Sequence, residues 1–226
     1  VLPVNDAPEI ISIPISSALI NDDYVYQIEI DDPDSDVFYF VLSDQPNGMN
    51  IDEGGLITWL PTSTGYYNDI RVTVYDSEIF ESSDYDEQVF SVDIKLQQLL
   101  NLHQGSNLIS FVGLNVNEED NYIESIFENL APNLTHIFTE NYAAIYLDED
   151  DIWFGSLDII EPQRGYWLRV ENPDLLQLTT YESPSDLTYN LHYGNNLISY
   201  IGDNNASIND ALPDEVEEYF TNIFTE

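Results

Sequence analysis

A chain of 226 residues with 43 acidic and four basic side chains, net charge −39, has no Lys or Arg patches for phosphate backbones or anionic membrane surfaces, which excludes nucleic acid, and without a long apolar run direct membrane insertion is not expected. Zero cysteine removes a disulfide framework, a thiolate nucleophile and Cys-based metal sites. Apolar residues at 43% and aromatics at 13% can still bury cores, so two or three small domains are expected.

The acidity is not a tail. Residues 1–98 hold 20 acids and two bases, and residues 99–226 hold 23 and two, a spread that suits salty or calcium-rich surroundings. No apolar run approaches the roughly 18 residues of a membrane helix. The first eight residues, Val1 to Pro8, lack a charged n-region and an apolar h-region, so the chain is expected to begin after any signal peptide. Both conditions fit an extracellular or cell-surface location.

From residue 9 to 96 apolar residues recur with period two, the mark of half-buried strands. Strands are expected near 10–14, 24–30, 37–42, 56–60, 70–75 and 89–96. Tyr24, Tyr26, Ile28 and Ile30 share one face, and Val72 and Val74 another. Pro46-Asn47-Gly48, Glu53-Gly54-Gly55 and Ser63-Thr64-Gly65 supply turn chemistry between them. Short strands at this spacing, with no helical segment, predict a sandwich of about 90 residues.

At the end of the second strand stands Asp31-Asp32-Pro33-Asp34-Ser35-Asp36, four carboxylates in six residues. Such a cluster repels itself unless a cation sits in it, and Ca²⁺ takes several oxygen ligands on flexible loops. An EF-hand starting at Asp32 fails, because its sixth position would be Val37 rather than Gly and its twelfth Ser43 rather than Glu. The bland alternative is a solvated turn.

Val4-Asn5-Asp6-Ala7-Pro8, the acidic run 31–36, Gln45–Asp52, Gly55–Pro61 and Arg71–Asp76 together resemble the cadherin-like, immunoglobulin-related domains of the dystroglycan type, over essentially all of 1–97. The resemblance implies calcium at the junction with a neighbouring domain of the same chain. It places Asn5 and Asp6 in the linker motif, Asp32 and Asp34 in the D-x-D motif, and Asp76 at the acidic end of a later strand, with Asp31 and Asp36 as second-line candidates. Two departures limit it. Thr58-Trp59-Leu60-Pro61 stands where cadherins proper carry D-R-E, and the exit Leu96–Leu100 lacks N-D-x-P, so the calcium junction belongs at the N-terminal end.

The second half is duplicated. Asn101–Ser110 (NLHQGSNLIS) returns as Asn190–Ser199 (NLHYGNNLIS), and Thr135–Glu140 (THIFTE) as Thr221–Glu226 (TNIFTE). One copy reads as a strand near 107–112, a helix carrying Ile123, Ile126, Phe127 and Leu130 that ends at Pro132, a strand near 136–139, a hairpin 143–155 and a strand near 166–170. The framework resembles an α+β repeat of large bacterial secreted proteins. The second copy lacks counterparts of 141–182, and 187–226 alone should be loosely packed.

His103 and His192 hold equivalent repeat positions and His136 lies near a strand; framework packing explains them better than metal ligation. Asp148–Asp151 reads as a solvated hairpin tip. Trp59, Trp153 and Trp167, among 16 Tyr, raise the option of platforms for sugar rings, although each stands in an apolar strand that favours burial. No nucleophile elbow, phosphate loop or H-E-x-x-H is present, so catalysis is not expected. The fold class is mainly β: an immunoglobulin/cadherin-like sandwich over 1–98, a complete α+β repeat over 99–186 and a truncated copy over 187–226. The expected function is a non-catalytic, calcium-binding stalk or adhesion segment of a large extracellular protein, contacting a cell-surface protein or glycan; the alternative is a carbohydrate-binding accessory region of a secreted enzyme.

Overall fold

The computed structural model describes residues 5–77, 84–111, 113–114, 121–183, 187–200, 207, 211–212 and 214–224, and is almost entirely β. It divides into two compact units, Val1–Leu96 and Gln97–Glu226. The first boundary falls two residues before the one read from the sequence, and the described residues of 187–226 belong to the second unit.

In the first unit the strands are β1 (Glu9–Ile10), β2 (Ser17–Leu19), β3 (Tyr24–Gln27), β4 (Ile30–Asp31), β5 (Tyr39–Ser43), β6 (Asn50–Ile51), β7 (Leu56–Trp59), β8 (Gly65–Tyr75) and the start of β9 (Tyr85–Leu102). A three-stranded sheet runs β3-β7-β6, and β5, β8 and β9 are antiparallel neighbours with β2 parallel on β9. One core joins these layers. Tyr24, Tyr26, Ile28, Met49, Ile57 and Trp59 come from one side and Ile70, Val72, Val74, Phe90, Val92 and Ile94 from the other. Fully burying each such side chain is worth about 1.5–3 kcal/mol, which is why the period-two stripe decides the fold. Trp59 and Tyr67 meet edge to face at 4.9 Å.

The β6–β7 turn shows how local chemistry sets register. Asp52 Oδ1 accepts the amides of Gly54 at 2.8 Å and Leu56 at 2.9 Å. Gly55 takes φ +76°, and a Cβ there would stand 2.6 Å from the Phe40 ring, so only glycine meets both demands.

The second unit is built on a five-stranded antiparallel sheet, β10-β14-β11-β12-β13, from Gly105–Ser110, Gly165–Val170, Leu134–Thr139, Tyr142–Leu147 and Ile152–Gly155. Strand β15 (Asp174–Thr180) pairs with β9, whose residues from Gln97 onward belong to this unit. The core takes Leu102, Phe111, Phe127, Leu130, Ile137, Tyr166, Leu168 and Leu176, among others. Burial pushes the Tyr166 hydroxyl up to about 12. The expected helix is only one turn, α1 (Ile123–Ile126), because Phe127 leaves helical geometry at φ −109°, ψ 13°. Its apolar set is nonetheless buried as the spacing requires: Ile123, Ile126, Phe127 and Leu130 all face the core. Residues 115–120, just before this helix, lie outside the described residues.

In the second copy a short helix, α2 (Asp214–Glu217), is present, but 187–200 forms no strand among the described residues. Leu191 and Ile198 are 44% and 38% exposed, whereas the equivalent Leu102 is 3% exposed and Ile109 packs on the core.

Candidate functional site

Strand register sets the residues named for calcium in two hydrogen-bonded sets along the N-terminal segment. Pairing of Glu9 with Asp31 and Ile10 with Ile30 lays the N-terminal segment along β4. Pairing of Tyr75 with Tyr85 sets Asp76, just past β8, opposite Asp84, just before β9. Asn5 Nδ2 then donates to Asp76 Oδ2, and to Asp84 Oδ2 at 3.2 Å. The amide of Asp6 donates to Asp34 Oδ2 at 3.1 Å. Asp32 Oδ1 accepts the amides of Asp34 and Ser35, each at 2.8 Å, which tightens the D-P-D-S turn. Its second oxygen, Oδ2, is buried and has no hydrogen-bond partner among the described residues.

Asn5 is thus bonded to Asp76 and Asp84, and the Asp6 amide to Asp34, with Asp32 reached through the backbone of Asp34. Asp31 and Asp36 are exposed, and no hydrogen bond joins either to the group. Asp84 was missed by the sequence reading. The signal was Asp84-Tyr85-Asp86, an alternation that points both acids to the same side of a strand. Asp86 Oδ2 accepts the Ile10 amide at 2.8 Å and fixes the N-terminal segment instead.

Among the described residues, no three His, Cys, Asp or Glu side chains by themselves form a group that could hold a metal ion. The Asn5 amide nitrogen stands between Asp76 and Asp84, in the part a cation would play. The acceptor atoms of both sets are carboxylate oxygens, and the buried Asp32 Oδ2 has no hydrogen-bond partner among the described residues.

Of the three tryptophans named as optional platforms, Trp167 lies on an exposed aromatic surface. Strand register puts Leu108, Trp167, Phe138 and Ala143 in one row across the outer face of the five-stranded sheet, and Ser106, Arg169, His136, Ile145 and Phe154 in the next. Trp167, Phe138 and Phe154 are 36%, 40% and 65% exposed. His136 stacks on Phe138 at 5.6 Å. These rows contain no carboxylate, in a chain with 43. Arg71, Lys95 and Arg164 each pair with Asp or Glu, whereas Arg169 has no ion-pair partner among the described residues. The other tryptophans face inward: Trp59 is buried and Trp153 packs against the core beside Phe127 and Tyr146.

The repeated histidines belong to a turn. In each copy an asparagine side chain clamps it: Asn107 Oδ1 accepts the His103 amide at 2.8 Å and Asn107 Nδ2 donates to the His103 carbonyl at 2.9 Å, while Asn196 does the same for His192 at 2.9 and 2.9 Å. Gly105 and Gly194 complete it at φ +104° and +109°.

No family model and no curated protein matches the chain. Similar solved structures include a candidate alpha-galactosidase of Bacteroides fragilis at 20% identity, covering 42% of this chain and 19% of that one, with a TM-score of 0.31. A candidate alpha-galactosidase/melibiase of the same organism follows at 16% identity, 56% and 23% coverage and a TM-score of 0.32. The SGBP-B protein of a Bacteroides ovatus mixed-linkage glucan utilization locus, in complex with a mixed-linkage heptasaccharide, matches at 14% identity, 77% and 48% coverage and 0.31. The chain thus spans less than half the length of each, and TM-scores at this level do not establish a shared fold.

Proposed function

We propose that this chain is a non-catalytic segment of an extracellular or cell-surface protein, with a first unit that binds calcium and serves as stalk or adhesion module. The observation that carries this reading is the buried Asp32 Oδ2, without a hydrogen-bond partner among the described residues, in the turn whose Asp34 accepts the Asp6 amide, while Asn5 next to Asp6 bonds Asp76 and Asp84. Calcium would draw on these carboxylates and on the Asn5 amide oxygen, with water or a neighbouring domain completing six to eight oxygens. A site so composed binds toward the millimolar end of the extracellular range. Calcium at 100 times its dissociation constant stabilises by about 2.7 kcal/mol, and near that constant by a few tenths. The test is the melting of the chain in millimolar CaCl₂ against NaCl of equal ionic strength. Wild type should gain a specific upward shift in calcium, lost in the double variant Asp32→Ala, Asp34→Ala and retained in Asp148→Ala. A shift that NaCl reproduces, or that survives the double variant, assigns the effect to charge screening and ends this reading.

The outer sheet face favours a second reading, a carbohydrate-binding accessory region. Exposed rings at Trp167, Phe138 and Phe154 offer flat apolar surfaces for sugar rings, and Arg169, His136 and Ser106 offer hydroxyl partners. The net charge of −39 repels anionic ligands, so the occupant is a neutral glycan. Calorimetry against soluble β-glucan and galactan should give binding that Trp167→Ala abolishes and Trp153→Phe does not; no heat with either polysaccharide removes the reading for those sugars.

A further inference from the structure

The second copy is seated on the first. Gly165 donates its amide to the Leu197 carbonyl at 3.1 Å and Ser199 donates to the Gln163 carbonyl at 3.1 Å, which frames an antiparallel bridge between Arg164 and Ile198. Glu140, the last residue of the first T-H-I-F-T-E block, reaches the same segment. Its Oε1 contacts His192 Nε2, and its Oε2 accepts the Leu197 amide at 3.4 Å. Both oxygens of a first-copy carboxylate are thus engaged by the second copy.

We infer that the histidine and glutamate repeated in each copy form a clasp between consecutive copies: Glu140 with residues 163–165 is a docking surface for the His-x-Gly-x-Asn turn of another copy of this repeat. The surface is shaped for that occupant. Gly165 faces Leu197 closely, since a Cβ on it would lie 3.1 Å from both the Leu197 side chain and the Ile198 carbonyl. The Asn196 clamp presents the His192 ring at a fixed place, because the turn is held by its own backbone and side-chain bonds before any contact is made.

Charge follows from the ring's two nitrogens. Nδ1 of His192 lies 2.9 Å from the Tyr193 carbonyl, a partner that only an N–H can satisfy. A neutral ring has one proton; with that proton at Nδ1, Nε2 would turn a lone pair toward the Glu140 carboxylate. The contact therefore requires the imidazolium. The Tyr193 carbonyl and then Glu140 raise the histidine above its ordinary value, and His192 first among several causes lowers Glu140. The charged groups facing Glu140 are His192 and Arg164, and Arg164 is itself held by Glu161 at 2.6 Å. The histidine's contribution is complete below its unfolded value and is lost as pH rises through the raised folded one. The carboxylate's contribution is present above the ordinary glutamate value and is lost as pH falls through the lowered one.

Hydrogen exchange on the full chain tests the clasp. Corrected for intrinsic rates, the amides of Gly165, Leu197 and Ser199 should exchange at least tenfold faster in His192→Ala and in Glu140→Gln than in wild type, while those of Ile137 and Leu168 stay protected. In wild type the same three should lose protection between pH 6 and pH 9. His192 is about half exposed and Glu140→Gln keeps its shape, so neither change threatens the fold. Unchanged exchange at these amides in both variants, or protection independent of pH over that range, overturns the clasp and leaves an incidental packing contact.

Discussion

The same ten-residue phrase is present twice and does two different things. At 101–110 it forms the turn and then β10, paired over six residues with β14. At 190–199 it forms the same turn with the same clamp, yet beyond it there is a single bridge. The difference lies in what each copy is offered. Residues 165–170 give the first phrase a partner strand and a core for Leu102, whereas among the described residues the second phrase meets residues 163–165 through one bridge and leaves Leu191 exposed. Turn geometry is thus a local property, written in His, Gly and Asn, and strand formation is a property of the surroundings.

The comparison can be broken most severely through the buried leucine. Leu102→Ala should cost about 2–5 kcal/mol, the usual range for emptying a core position, and Leu191→Ala should stay within about 0.5 kcal/mol. Denaturant melting of the two variants checks this; similar losses would mean that the second phrase is packed as the first is. A smaller contrast is expected at the clamp. Asn107 is 5% exposed, and its loss removes hydrogen bonds made in a partly buried setting, about 1–3 kcal/mol, while water replaces the side chain in Asn196→Ala. The smallest difference, near zero, should separate Gly105→Ala from Gly194→Ala. Both glycines have positive φ and open space around the missing Cβ, so each substitution costs about 1–2 kcal/mol of local strain. Peptides spanning either turn would show that cost equally by NMR, and an unequal result would tie the turn to its surroundings.

Much of the architecture was legible because burial follows period. Tyr24, Tyr26 and Ile28 on one face and Val72 and Val74 on another are all core residues. The apolar spacing at Ile123, Ile126, Phe127 and Leu130 was read correctly as a buried set and too generously as a helix, since a helix and a compact series of turns can bury the same four residues. Strands β2 and β15 were not expected: Ser17–Leu19 is too short to show a period, and Asp174–Thr180 followed a strand already taken as the last. In the acidic group, Asn5, Asp6, Asp34 and Asp76 were named from motif order, while Asp84 came only with the β8–β9 register. The outer aromatic face was legible only as an option at Trp167, with Phe138 and Phe154 unread, for a related reason. Trp167 stands in an apolar run, and which side of a sheet is covered depends on residues far away in sequence.

The hairpin tip Asp148–Asp151 has a consequence of its own. It sits between β12 and β13, and β13 is an outermost strand of its sheet, carrying Ile152 at 49% and Phe154 at 65% exposure. An outermost strand with apolar side chains is a template on which another chain can add a strand and begin to aggregate. Four consecutive carboxylates at its entrance oppose that addition, because an incoming copy would bring its own four into the same space. The tip acts as a gatekeeper whose strength is set by ionisation and screening. Acid or high salt would lower that guard, and turbidity should then appear first in a variant with the tetrad replaced by asparagine and glutamine.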